Sequence, residues 1–96
     1  MSALLWRMPQ PYEGPQATLR DGLNVADVAE VLNRDERLQL RAHNDLLLLV
    51  AAETDAGVLV RVLLVRNDDS FVWWVRSARA ASVTDREHWK NRRDQR

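Results

Sequence analysis

The sequence predicts an α+β domain: an antiparallel four-stranded meander sheet with a helix before it and a C-terminal helix packed against it. Three observations carry this. Hydrophobic spacing is helical over NVADVAEVL, changes to a period of two after NRDE, and is followed by three short turn signals before a second capped helix begins. With 46% hydrophobic and 29% charged residues, the 96-residue chain has the composition of a single folded domain and not of a disordered or fibrous one.

Taken in order, residues 1–19 read as a short strand over ALLWR and a proline-rich connection, MPQPYEGPQ, with Tyr12 as its anchor on the body. A helix over 23–33 follows. Asn24 is its N-cap, Asp27 completes a capping box, and Val25, Val28, Ala29 and Leu32 form one apolar stripe. Residues 36–77 hold the meander: RLQLRA, a tight HND turn, DLLLLVAA, a turn over 54–57, VLVRVLLVR, a turn at NDDS, and FVWWVR. The middle two strands are apolar on both faces, as central strands covered by helices are. Ser82 and Asp85 then cap a helix over 82–94.

Charge is divided unevenly along the chain. Residues 1–57 carry five arginines against nine acids, or −4, and residues 58–96 carry nine basic residues against five acids, or +4. A neutral chain divided in this way can offer one basic surface to an anionic ligand. The sequence has no cysteine, which removes disulfides, thiol nucleophiles and thiolate metal sites and fits a cytoplasmic protein. The apolar run at 46–52 is too short to span a membrane, and the first residues do not read as a secretory leader.

The chemistry on offer is that of arginine. Arg76 and Arg79 leave the last strand and Arg86 opens the last helix, so the three can converge where their forked guanidinium groups suit phosphate oxygens. Trp73 and Trp74 must point to opposite faces, one into the core and the other free to stack on a base or anchor a partner. Alternatively, the arginines lie over aromatic rings and pair with Asp85 or Glu87. His43 and His88 have no metal-binding spacing around them, so neither a metal nor another cofactor is expected.

Two stretches, RDGLNVADVAEVL at 20–32 and RSARAASVTDREHW at 76–89, resemble the BrnT family of type II toxins, relatives of RelE-type ribonucleases. The resemblance covers about residues 17–93. It implies a metal-independent ribonuclease toxin held by a cognate antitoxin of the ribbon-helix-helix type. Arg20 takes the place of the family's lysine, Asp21 that of its histidine, Arg79 and Arg86 those of its two arginines, and Trp89 that of its tyrosine. Arginines there stabilise the extra charge on a phosphorane-like transition state, with Glu30 or His43 as candidate base. Arg76, Trp74, Trp89 and Lys90 complete the candidate RNA contacts. The Lys-His pair of the family is Arg20-Asp21 here, which removes a proton carrier and motivates a second reading, a non-catalytic module that binds a protein partner or RNA. Self-association through the edge strand of the meander, giving a homodimer, is a further expectation.

Overall fold

Residues 47–53 alternate strictly between buried and half-buried positions, and that alternation sets the two faces of the sheet. In the computed structural model the described residues are 4–10, 16–66 and 71–94. They form β1 (Trp6–Arg7), β2 (Thr18–Leu19), α1 (Val25–Leu32), β3 (Leu38–Ala42), β4 (Leu47–Glu53), β5 (Leu59–Val65), β6 (Trp73–Ala80) and α2 (Val83–Asp94). Tyr12 and the NDDS turn lie outside the described residues.

Consecutive antiparallel pairing joins β3 to β4, β4 to β5 and β5 to β6. The sheet as a whole corrects the four-stranded antiparallel expectation, because it has six strands and is mixed. Both β1 and β2 pair with β6 in parallel, Trp6 beside Trp73 and Thr18 beside Ser77. Two-residue strands carry almost no local signal. Their hydrogen bonds come from the outer edge of β6, as in the 2.8 Å bond from the Trp73 N–H to the Leu5 carbonyl and the 3.0 Å bond from the Arg20 N–H to the Ala78 carbonyl.

One face is the core. Leu48, Val50 and Ala52 of β4 stand opposite Leu64, Val62 and Val60 of β5, and all six are buried. Val75, Ala78 and Trp73 extend the layer along β6, and α1 closes it with Val28, Val31 and Leu32. Each buried valine or leucine contributes roughly 1.5–3 kcal/mol by leaving water. The predicted stripe of α1 is shifted by a small rotation: Val31 is buried, whereas Val25 is 50% exposed. Its cap forms as expected, with the Asp27 N–H donating to Asn24 Oδ1 at 3.0 Å and the Asn24 N–H to Asp27 Oδ2 at 2.9 Å.

The other face is covered mainly at one end, by α2. That helix is polar almost throughout and docks through Trp89, which is buried and donates its indole N–H to Glu53 Oε1 at 2.8 Å. Ser82 and Asp85 cap it reciprocally, with the Ser82 N–H to Asp85 Oδ2 at 3.0 Å and the Asp85 N–H to Ser82 Oγ at 3.2 Å. In the β3–β4 hairpin His43, Asn44 and Asp45 all have positive φ, 52°, 58° and 66°. Asparagine and aspartate tolerate that region better than most side chains, which is why the HND sequence turns so tightly.

Candidate anion-binding cleft

β6 decides where the basic groups go. Between Leu63 and Leu64 of β5 its register shifts: Leu63 faces Ser77 and Leu64 faces Val75, so Arg76 is the extra residue of a bulge and is exposed. A bulge re-aims the side chain it carries. Ser77 and Arg79 face away from the core on the side of α2, and Thr18 of β2 is beside Ser77 in the register.

The result is a cleft of about 530 Å³ lined by Gln16, Thr18, Arg20, Arg76, Ser77, Ala78 and Arg79. Three guanidinium groups and two hydroxyls surround it. Neither Arg20 nor Arg76 has an ion pair among the described residues. Arg79 reaches Asp85 Oδ2 at 3.6 Å, and Arg61 reaches Asp85 Oδ1 at 3.5 Å. Asp85 is held below its ordinary value first by the backbone N–H of Ser82, then by the Ser82 hydroxyl and the two arginines, with desolvation working against them. Asp21, φ 58°, turns its carboxylate to the Ala80 N–H at 3.0 Å, so it ties the end of β6 instead of lining the cleft.

A shallow groove lined by Leu49, Arg61, Leu63, Ser77 and Arg79 continues the cleft across the open face. Basic groups thus run from Arg20 and Arg76 through Arg79 to Arg61. Trp74 lies on this face, half-buried, with the Arg7 guanidinium 4.4 Å from its ring centroid. A base stacking on the ring face that Arg7 covers would have to displace it.

The other candidate residues are elsewhere. Arg86 is exposed on α2, its N–H on the Ser82 carbonyl, and it does not line the cleft. Glu30 accepts the Asp55 N–H and lies 3.7 Å from the Arg34 guanidinium, which also holds Asp55 at 2.6 Å, so it fastens the β4–β5 turn to α1. His43 is exposed in the β3–β4 hairpin, at the end of the sheet opposite the cleft. Trp89, expected to touch RNA, is instead the buried anchor of α2 and is closed to stacking. Lys90 is exposed on α2 and outside the cleft. The sequence reading missed Gln16, Thr18 and Ser77, since only the parallel pairing of β2 with β6 brings them beside the arginines. Among the described residues no group of three or more acidic or imidazole side chains is placed to hold a metal, and no helix is long and apolar enough to cross a membrane.

No protein-family model, curated protein or solved structure matches this chain.

Proposed function

We propose that the chain is a module that binds the phosphate backbone of single-stranded RNA and does not cleave it. The observation that carries this is the gathering of Arg20, Arg76 and Arg79 around one cleft, two of them without an ion pair among the described residues. Guanidinium forks match phosphate oxygens in charge and in geometry. The hydroxyls of Thr18 and Ser77 beside them can exchange hydrogen bonds with a ribose 2′-OH.

Cleavage by the 2′-OH needs a group that takes its proton. Amide, hydroxyl and guanidinium side chains line the cleft, and none of these exchanges a proton readily near neutral pH. The candidate bases Glu30 and His43 belong to the α1–turn contact and the far hairpin. A ribonuclease toxin shares the phosphate contact but requires such a base.

Fluorescence anisotropy with an end-labelled single-stranded RNA, followed by a denaturing gel of the same sample, separates the two. The expected outcome is binding that Arg76→Ala weakens, with the RNA intact. RNA shortened by the wild-type protein and left whole by Arg79→Ala would replace the module with the nuclease. A flat anisotropy curve would remove both.

A further inference from the structure

At the other edge of the sheet, β3 has no strand beyond it among the described residues. Which of its backbone groups are free follows from the register. The Arg66 N–H donates to the Leu46 carbonyl at 3.1 Å and the Thr54 N–H to the Val58 carbonyl at 2.9 Å, so even-numbered residues of β4 aim at β5. Odd-numbered ones aim at β3, where Leu47, Leu49 and Ala51 meet Ala42, Leu40 and Leu38. The backbone N–H and C=O groups of Gln39 and Arg41 therefore point outward.

Beside this edge is an apolar groove of about 250 Å³, floored by Leu38, Leu40, Leu49 and Ala51 and walled by Arg61, Asp85 and His88. Leu40 is 62% exposed at its rim. A bare strand edge and an exposed leucine at the same place describe an unfinished surface.

We propose that a second copy of this chain completes it, with β3 pairing antiparallel to the β3 of its mate about a twofold axis at Leu40. In that register the outward groups match: Gln39 faces Arg41 of the other copy twice over, giving four new backbone hydrogen bonds. Leu40 meets its own symmetry mate across a non-hydrogen-bonded pair, where side chains approach most closely. Charge selects this register from its neighbours. Centring on Arg41 opposes two arginines, and centring on Gln39 sets Arg37 against Arg41; the Leu40 axis brings no two arginines face to face, setting Arg41 opposite the neutral amide of Gln39 and Arg37 opposite His43. Such a contact is isologous and closes on itself, and it buries Leu40 while joining the two apolar grooves.

The chain lacks cysteine, so one introduced thiol reports the contact without interference. A non-hydrogen-bonded pair sets Cα atoms about 4.5 Å apart, inside the span of about 4.4–6.8 Å that a disulfide bridges. Mild oxidation of Leu40→Cys should convert it to a covalent dimer, whereas Arg41→Cys, whose symmetry mates are not adjacent, should remain single. In sedimentation equilibrium the wild type should exceed 11.1 kDa as concentration rises. Leu40→Lys should raise the dissociation constant at least tenfold with an unchanged circular dichroism spectrum. An 11.1 kDa species at every concentration overturns the proposal and leaves the edge to a strand from another protein. Equal cross-linking of Arg41→Cys and Leu40→Cys overturns it too.

Discussion

Salt is the sharpest probe of the cleft. If Arg20, Arg76 and Arg79 each neutralise one phosphate, the logarithm of affinity falls against the logarithm of salt with a slope of about −2.1, at about −0.7 per phosphate for single strands. Raising salt from about 50 to about 200 mM then weakens binding about 18-fold. Removing one contact, in Arg20→Ala or Arg76→Ala, should change the slope to about −1.4 and the loss to about 7-fold. These two arginines are better probes than Arg79, which shares its charge with Asp85. Lys90→Ala, on the exposed side of α2, should leave the slope alone. Anisotropy titrations of a labelled oligonucleotide at four salt concentrations measure all of this. A slope that stays the same in the Arg20→Ala, Arg76→Ala double variant would place the phosphates somewhere other than the cleft.

Three further outcomes concern stability. Leu48→Ala, in the fully buried layer against α1, should cost about 2–5 kcal/mol in urea denaturation, a large part of the roughly 5–15 kcal/mol available to a domain. Asp85 has a folded-state value below its ordinary 3.8, so its contribution is present above that pH and is lost as pH falls through the lowered value. Asp85→Asn should therefore unfold at lower urea than wild type near neutral pH, with the gap closing in strong acid; a constant gap would contradict the assignment. Trp89→Ala should release α2 before the sheet, raising amide exchange over 83–94 while β4 and β5 stay protected, because Trp89 is the one buried side chain among those described in that helix.

What could be read from the sequence was local. Asn24 with Asp27 and Ser82 with Asp85 each satisfy orphan N–H groups within three residues, so both caps are visible in the chain itself. The period-two strands were visible for the same reason. β2 was not, because Thr18 and Leu19 are extended only through bonds to residues 77 and 78, and no property of a two-residue stretch reports such a partner. Trp89 was misread as a surface ring because its helix is polar, and a single aromatic gives no periodic stripe. Of the candidate site, Arg76 and Arg79 stand out in the chain as arginines near the end of a strand, although β6 runs on to Ala80 and holds both within it. Their separation from Arg86 depends on the direction α2 takes, and the position of Arg76 on the bulge at the Leu63–Leu64 step, neither of which is written in side-chain order.

The parallel strands β1 and β2 also set an order of events. The core layer is built from residues of the meander and α1, neighbours along the chain, whereas the cleft needs residue 18 beside residue 77 and Arg20 beside Ala78. Contacts between such distant residues close late, since the loop between them must first be ordered. During synthesis the arginines of the cleft are therefore scattered until nearly eighty residues have emerged and folded. An N-terminally clipped chain would keep much of its hydrophobic layer but lose Arg20 and the β2 wall of the cleft, so the strength of the phosphate binding proposed for the cleft would report that the two halves of the chain have met.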